Sequence, residues 1–420
     1  MFKNETKLFL SIFTIFIFTG YVEASDLQTL IDKADAGNKI ITLEKNKIYK
    51  IDKSLVLYND ITINGNGATL TQSENWKNYN NVYEPLLRMV NIKNVKINNL
   101  VFDHAVFDSK PNNQPFSTIL MFGAQDCLVE RCTFKNLGGP YDSKYVKGSP
   151  FILMISQDNK NDFTYLPDNL KSKLYSTNNN VIKSCKFINN NTYISFAIRV
   201  LTQWTKNTST EDVINKTQYN KILNCEFIGE YDWNTVELAG PGVIHNEVSN
   251  NIIDGKSVNN LDIDKGASFN VFRNNIIKNS GLPSRHFFKL NVRFAAIAVH
   301  GSSTSLIGRN NLVENNTINN LRINNAYQKG YLYSSAIQIL YTDNTTIKGN
   351  IIDNIFDKEI YGVGILIDQY NTNIIVENNK IVNAYRGIYE SLNSRKNILP
   401  KIKNNTINVK KEKIFLKPNN

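Results

Sequence analysis

The sequence predicts an all-β solenoid in which each turn of the chain contributes three short strands. Three observations in the 420-residue chain carry this prediction: a recurring short motif, its regular spacing, and strand-like rather than helical patterning between its copies. Uninterrupted copies recur at about 24 to 29 residues, which lies in the range of stacked repeats. Three strands separated by turns fit a unit of that length, because strands are commonly about 3–10 residues long.

The motif is an apolar-alternating strand followed by a polar pair, one spacer and an apolar residue, as at residues 250–253 (NNII). Stacking the turns places the second residue of each pair above its counterpart in the next turn. Asn suits a tight turn, and stacked Asn side chains hydrogen-bond to one another along the axis. The predicted ladder contains Asn99, Cys132, Cys185, Cys225, Asn251, Asn275, Asn316, Asn350, Asn379 and Asn405.

Residues 1–24 have the pattern of a secretory signal peptide. Lys3 and Lys7 form a basic start, residues 8–19 are apolar, and residues 22–24 (VEA) form a small-x-small cleavage site. We expect cleavage after Ala24 and a secreted or periplasmic mature chain, with an uncleaved anchor as the alternative. We expect no stable membrane span in the mature chain. A short helix over residues 26–36 should cap the solenoid.

The four cysteines show neither a Cys-x-x-Cys pair nor the spacing of a Cys/His metal site. Three of them replace Asn in consecutive turns of the predicted ladder, which indicates buried thiols filling the same position. A disulfide between neighbouring turns stays open, because export permits one. We interpret the ladder as structural and assign it no chemistry.

The signal peptide, the N-terminal helix, the repeated turns and the Asn ladder together resemble the pectin-lyase-like superfamily. The resemblance covers the chain from Ser25 to its C-terminus. It implies an all-β, right-handed parallel β-helix with three strands per turn and a short N-terminal capping helix. We therefore expect a single domain over residues 25–420. The resemblance does not specify an activity, because the superfamily includes lyases, hydrolases, epimerases, phage tailspikes and non-catalytic proteins.

Four insertions interrupt the repeat, at residues 137–149, 158–176, 202–216 and 280–291. Each borders the first strand of a turn, so together they should wall one face of the solenoid. Insertions gathered on one face of a repeat protein often mark its binding face.

The strands under these walls align in columns. The first and third columns are aliphatic and should face inwards, so the second and fourth should face outwards. The second column reads Arg199, Glu237, Asp262, Ala298, Gln338 and Leu366; the fourth reads Leu201, Ala239, Asp264, His300, Leu340 and Asp368. With turns about 4.8 Å apart and alternate residues about 6.6 Å apart, Glu237 should stack on Asp262 and lie about 8 Å from Asp264.

Glu237, Asp262 and Asp264 are the predicted catalytic residues. Glycosidases combine a protonated acid with a carboxylate, about 6.5–9.5 Å apart for inversion of configuration and about 5–5.5 Å apart for retention. Crowding of Glu237 against Asp262 should raise one pKa and supply the acid. The alternative is a solvated ion ladder on the surface, which would contribute little.

Substrate binding is predicted for cationic and aromatic residues around these carboxylates. Arg199 and Lys265 could hold an acidic sugar, and His300 could orient Asp264 or contact sugar hydroxyls. Trp204 and Trp233 lie on or near bordering loops, where rings can stack on sugars, with packing as the alternative. The net charge of +11 and pI of about 9.2 are compatible with a polyanionic partner or with a solvated Lys-rich surface.

Three functions stay open. The first is a glycoside hydrolase without a cofactor, because the carboxylates resemble in layout those of polygalacturonases and tailspike endoglycosidases. The second is a uronate lyase or C5-epimerase, in which the three carboxylates bind Ca²⁺ and Arg199, Lys265, Lys289 or Arg293 supplies or assists the base. The third is a non-catalytic glycan-binding adhesin. We expect a neutral or anionic polysaccharide partner and no nucleic acid, and the oligomeric state stays open.

Overall fold

A computed structural model of the chain describes residues 21–22, 24–76, 83–104, 115–137, 149–158, 166–189, 194–202, 211–281, 294–322, 334–356, 362–391, 397–398 and 400–417. Within these residues the chain winds into a right-handed parallel β-helix whose turns each add a strand to three long sheets. The predicted fold class is therefore confirmed.

The α-helix Ala24–Ala36 packs at the N-terminal end of the solenoid, where its Leu27 and Ile31 join the main core. The predicted capping helix is confirmed and begins two residues earlier than expected. In the part of the chain that the structure describes, no helix combines the length and the hydropathy of a membrane span. Residues 1–20 lie outside that part, so the signal peptide and its cleavage stay predictions.

The sheets are named here in the order in which each complete turn visits them. Sheet 1 contains Leu55–Val56, Pro85–Val90, Ser117–Phe122, Pro150–Ser156, Phe196–Thr202, Asn234–Ala239, Asn259–Asp264, Ala295–His300, Ser334–Leu340, Gly362–Ile367, Arg386–Glu390 and Ile414–Phe415. Sheet 2 contains Ile40–Thr42, Thr62–Asn64, Lys96–Asn98, Leu128–Glu130, Val181–Lys183, Lys221–Leu223, Glu247–Ser249, Val271–Arg273, Leu312–Glu314, Thr346–Lys348, Ile375–Glu377 and Lys401–Lys403. Sheet 3 contains Tyr21–Val22, Ile48–Ile51, Thr69–Gln72, Val101–Asp103, Thr133–Lys135, Lys186–Asn189, Glu226–Glu230, Ile252–Lys256, Ile276–Lys278, Thr317–Arg322, Ile351–Phe356, Lys380–Val382 and Thr406–Asn408.

Shorter elements lie where sheet 1 turns into sheet 2. They are the strands Thr177–Asn178, Thr217–Gln218, Val243–Ile244, Gly308–Arg309 and Thr342–Asp343. A 3-10 turn, Asp168–Leu170, lies in the second predicted insertion.

The predicted register of sheet 1 is confirmed. Val236 pairs with Ile198 on one side and with Leu261 on the other, and Leu261 pairs in turn with Ile297. These aliphatic side chains are fully buried in the main core. Burial of one such side chain stabilises the fold by about 1.5–3 kcal/mol. A one-residue slip in register would expose a whole column of them, so the register is strongly specified.

The Asn ladder is confirmed from Asn251 to Asn405, with one correction. In each step the backbone N–H and the side-chain amide of one Asn donate to the side-chain oxygen of the next, as Asn251 does to Asn275 at 3.1 and 2.9 Å. Asn99 is not a ladder residue, because Val101 pairs with Thr133 and Leu100 therefore lies level with Cys132. The left-handed residue directly precedes the ladder position, and before Leu100 that residue is Asn99, at φ 52°.

The predicted buried thiols are confirmed. Cys132, Cys185 and Cys225 are buried in consecutive turns, and Cys127 is buried nearby; all four are free. Cys225 continues the ladder through its backbone, which donates to Asn251 Oδ1 at 2.8 Å. The sequence analysis missed a second ladder at the start of sheet 2, where Asn180, Asn220, Asn246, Asn270 and Asn311 are linked in the same way.

Apolar side chains cover the outer face of sheet 1 at both ends. Towards the N-terminus, Leu153 and Ile155 pack with Leu166 and Leu170, which belong to the insertion 158–176. Towards the C-terminus, Leu366 packs with Tyr389 and Val363. The described part of that insertion therefore walls this face as predicted, and a polar stretch of the face lies between the two apolar clusters.

Candidate functional site

Three adjacent strands of sheet 1 bring the predicted site residues together between the two apolar clusters. Arg199 pairs in register with Glu237, and Glu237 pairs with Asp262. Asp264 lies two residues further along the same strand as Asp262, on the same face. One carboxylate oxygen from each of Glu237, Asp262 and Asp264 lies within 4.8 Å of the others. These three residues are called the carboxylate cluster below.

Each member of the cluster contacts a cationic side chain. Arg199 Nε donates to Glu237 Oε2, and its guanidinium lies over the ring of Phe196 at 4.3 Å from the ring centre. Lys265 contacts Asp264 twice, through Nζ at 3.0 Å and through its backbone N–H at 2.6 Å. The cationic groups therefore offset the repulsion that three close carboxylates would otherwise suffer.

His300 bridges the two aspartates from the next turn. Its Nε2 lies 2.8 Å from Asp262 Oδ1 and its Nδ1 lies 3.2 Å from Asp264 Oδ1. Both ring nitrogens can donate only when the imidazole is protonated, so this geometry suits the cation. The prediction that His300 contacts Asp264 is therefore extended to Asp262.

Asn234 is a site residue that the sequence analysis missed. Its Nδ2 donates to Asp262 Oδ2 at 2.6 Å and to Glu237 Oε1 at 3.4 Å. Its Oδ1 accepts the backbone N–H of Asn259 at 3.1 Å, which orients the donor towards the carboxylates. Strict alternation would turn Asn234 inwards, but two consecutive residues face the core where each strand of sheet 1 begins, as Ala296 and Ile297 do. In the sequence, a small residue directly before the first aliphatic column indicates that two consecutive residues face the core there.

The cluster faces away from the core but is largely shielded from solvent, contrary to the exposed column that alternation predicts. Glu237 and Asp262 are 3% and 2% exposed. The side chains of His300 and Lys265 are 23% and 35% exposed. Solvent therefore reaches the cluster chiefly along these two cationic residues.

Glu237 and Asp264 are driven towards opposite protonation states. Burial raises the pKa of the Glu237 carboxyl, and the charges of Asp262 and Asp264 add to the rise while Arg199 opposes it. Burial would also raise the pKa of Asp264, but the charges and hydrogen bonds of His300 and Lys265 outweigh it and hold that pKa well below its ordinary value. One carboxyl of the cluster therefore favours the acid and another the carboxylate.

The two aspartates also act on their cationic neighbours. Partial burial opposes the charged form of His300, but Asp262 and Asp264 outweigh it and hold its pKa well above the usual value. The pKa of Lys265 is likewise raised, since Asp264 outweighs the effect of burial. The surroundings of His300 therefore favour its protonated form.

The two predicted tryptophans are placed differently. Trp233 is half-buried and directly precedes Asn234 at the start of its strand. Trp204 lies outside the described residues, as do Lys289 and Arg293. The sugar-stacking role of both tryptophans stays a prediction.

The carboxylate cluster fits Ca²⁺ in donor type but not in charge. Carboxylate oxygens are the ligands that Ca²⁺ prefers, and their spacing would allow a shared cation. However, each carboxyl of the cluster already contacts a cationic side chain: Arg199, Lys265 or a protonated His300. A divalent cation would have to displace at least one of these partners.

Replacing His300 by Gln should destabilise the protein in a pH-dependent way. Because the folded pKa of His300 is raised, its stabilising effect is full below its unfolded value of about 6.5 and is lost as pH rises through the folded pKa. The effect amounts to about 1.4 kcal/mol for each unit by which the folded pKa exceeds the unfolded one. Urea unfolding of wild type and H300Q between pH 5 and 9 measures the difference.

The control for this experiment is His245→Gln. The pKa of His245 is lowered, first by burial and then by Lys216, so this variant should show no stability difference that declines above pH 6.5. A difference between H300Q and wild type that stays constant over the whole range would contradict the ionic bridge.

Comparison with known proteins finds relatives of this chain by structure but not by sequence. No protein-family model matches the sequence, and no curated protein matches it. The surface protein and adhesin PfbA of Streptococcus pneumoniae is 15% identical and superposes with a TM-score of 0.56 over 90% of this chain and 96% of its own. An alginate lyase from Paenibacillus sp. str. FPU-7 is 14% identical, with a TM-score of 0.52 over 82% and 98% of the two chains.

A phage protein shares the same architecture. The tailspike protein of E. coli bacteriophage HK620, in complex with pentasaccharide, is 11% identical, with a TM-score of 0.54 over 92% of this chain and 62% of its own. At these identities the similarity establishes the fold. The chain has the right-handed parallel β-helix architecture that the Asn ladder and the repeat predicted.

Proposed function

We propose that this protein is a polysaccharide-cleaving enzyme and, more closely, a glycoside hydrolase. The observation that supports it best is the carboxylate cluster itself, in which Glu237 and Asp264 approach within 4.8 Å while their surroundings favour opposite protonation states. Paired carboxyls whose environments separate their pKa values are the usual acid and base of glycoside hydrolysis.

The roles follow from the contacts. Glu237 donates its proton to the oxygen of the leaving sugar, and Arg199 beside it receives the resulting carboxylate. Asp264 is the ionised carboxylate that attacks the sugar or activates water. Asp262 positions His300 and accepts a hydrogen bond from Asn234, so its role is to hold the site residues in place. The compact cluster favours direct attack, as in retaining enzymes, over a water held between distant carboxyls.

A uronate lyase is the second candidate. Lys265 and His300 are the exposed members of the site, and two adjacent cations could neutralise the carboxylate of an acidic sugar. The alginate lyase with this fold makes that substrate class a reasonable comparison. The Ca²⁺-assisted form of this reaction is less favoured, because each carboxyl of the cluster already contacts a cationic side chain.

A panel assay distinguishes these functions. We expect the purified mature protein to release reducing ends from at least one of alginate, polygalacturonate, xylan and dextran, without absorbance near the unsaturated-uronate band. EDTA should leave the rate unchanged, because the proposed hydrolysis uses no metal. Absorbance that appears together with reducing ends would instead identify a lyase, and its loss in EDTA would identify a metal-assisted one. Glycan binding without either signal would support the adhesin function.

A further inference from the structure

Three aromatic side chains stack on the surface where sheet 1 turns into sheet 2. Tyr219 and His245 have ring centres 5.2 Å apart with planes 7° from parallel, and His245 and Phe269 have centres 5.0 Å apart. Tyr219 and Phe269 are 49% and 40% exposed, and His245 is also exposed. These three residues are called the aromatic stack below.

The backbone at the aromatic stack is strained for residues of this kind. Tyr219, His245 and Phe269 all have φ between 56° and 58°, in the left-handed region that bulky side chains rarely adopt. The residue two positions before each strand of sheet 2 has this conformation in the neighbouring turns as well. There it is Asp60, Asn94, Asp126, Asn179, Asn310, Asn344 and Asn373.

In the seven neighbouring turns named above this position is Asn or Asp, which tolerate the left-handed region, whereas the aromatic stack has Tyr, His and Phe there. Strained backbone of this kind costs on the order of 1–3 kcal/mol for each residue and is concentrated at functional sites. Contacts between the rings return only about 0.5–1.5 kcal/mol per pair. Stability alone therefore does not account for the three aromatic residues.

The three turns that carry the aromatic stack are the turns that carry the candidate site. Tyr219 follows the strand of Arg199, His245 follows the strand of Glu237, and Phe269 follows the strand of Asp262 and Asp264. Phe269 comes five residues after Asp264, a distance of at most about 17 Å along extended chain. Asp264 lies at the end of its strand nearest this turn.

We propose that the aromatic stack is a second glycan-binding subsite, which holds the part of the polysaccharide that extends beyond the carboxylate cluster. This inference rests on the proposed function. Sugars present apolar C–H faces and hydroxyl groups, and the stack offers exposed rings together with the Tyr219 hydroxyl and the His245 nitrogens. It lies in the same three turns as the candidate site, with Phe269 five residues after Asp264, which favours a glycan over an unrelated protein partner.

The test replaces all three residues by Asn, in the variant Y219N/H245N/F269N. Asn is the residue of the neighbouring turns, so it relieves the strain while removing the rings. We expect a thermal midpoint equal to or above that of wild type. Affinity electrophoresis in gels containing alginate, polygalacturonate, xylan or dextran should show binding that is weakened about tenfold or more, which corresponds to about 1.4 kcal/mol. Where a polymer is cleaved, KM should rise for the polymer and not for short oligosaccharides.

The matched control is Tyr370→Asn. Tyr370 also has a positive φ of 58° and stacks on Tyr341 with ring centres 4.8 Å apart, but it lies in a turn outside the candidate site. This variant should bind every gel as wild type does. Equal loss of binding in Y370N, or unchanged binding in the triple variant, would overturn the proposal. It would also be overturned if none of the gels retarded the wild-type protein.

The outcomes also separate this proposal from the proposed function. Binding that depends on the aromatic stack in a protein without cleavage activity would keep the subsite and refute the enzyme. Cleavage with unchanged binding and KM in the triple variant would keep the enzyme and refute the subsite. A triple variant with a markedly lower thermal midpoint would show that the rings serve stability, which would refute the subsite as well.

Discussion

Replacing Glu237 by Gln should lower kcat on a cleaved polysaccharide by about 10²–10⁴-fold, which is the usual contribution of a general acid. Gln keeps the shape of the side chain and its neutral state, which burial already favours in Glu237, but it has no proton to donate to the leaving oxygen. KM should change little, because the loss falls on the transition state rather than on substrate binding. Initial rates of reducing-end release over a range of polymer concentrations measure both constants.

The pH profile gives the same prediction a second readout. The activity of wild type should fall as pH rises through the raised pKa of Glu237, because the acid must stay protonated. It should fall on the acidic side only at a pH below the ordinary range of Asp, because the pKa of Asp264 is lowered. In E237Q the fall on the alkaline side should disappear from any residual activity.

The matched control is Glu226→Gln. Glu226 lies on the outer face of sheet 3, where it pairs with Lys186 and is 44% exposed. The change makes the same Glu-to-Gln substitution on the solenoid without touching the carboxylate cluster, so kcat should match that of wild type. Full activity in E237Q would show that Glu237 is not the catalytic acid.

The sequence predicts this fold well because stacking repeats the same physical requirement in every turn. Asn251, Asn275 and Asn316 each accept a backbone hydrogen bond from the turn before, so the ladder leaves a visible period in the sequence. The error at Asn99 arose because Leu100 takes the ladder position in this turn, so the polar pair before it shifted the predicted motif by one residue. Pairing of Val101 with Thr133 decides it.

The sequence predicts which site residues lie side by side on paired strands, but not how deeply they are buried. Alternation places Glu237 beside Asp262, and the pairing of their strands confirms this. The alternating pattern cannot predict that Glu237 is only 3% exposed, because its burial depends on side chains from other segments of the chain. Alternation also misplaces Asn234. Two consecutive residues face the core at the start of each sheet 1 strand, so the residue before them, here Asn234, faces outwards. The opposite pKa shifts of Glu237 and Asp264 follow from that environment.

Replacing Asn275 by Ala should destabilise the solenoid by about 2–6 kcal/mol, because each buried group left without a partner costs about 1–3 kcal/mol. Asn275 is fully buried, and its Nδ2 donates to Val248 O and to Asn316 Oδ1, both at 2.9 Å. Its Oδ1 accepts the backbone N–H of Asn251 at 3.1 Å. Ala would leave Val248 O and Asn251 N–H buried without these bonds. Urea unfolding followed by circular dichroism measures the loss.

Asn405→Ala is the matched control at the C-terminal end of the ladder. Asn405 makes the same kind of contacts, to Val376 O and to the backbone of Asn379, but it is half-buried, so water can replace some of them. Its loss should be smaller, about 1 kcal/mol. Asn275→Cys should fall between the two, since Cys225 fills the same position while its backbone keeps the bond to the next turn. Equal losses in N275A and N405A would mean that burial adds nothing to the ladder, and the periodic Asn would then report turn conformation alone.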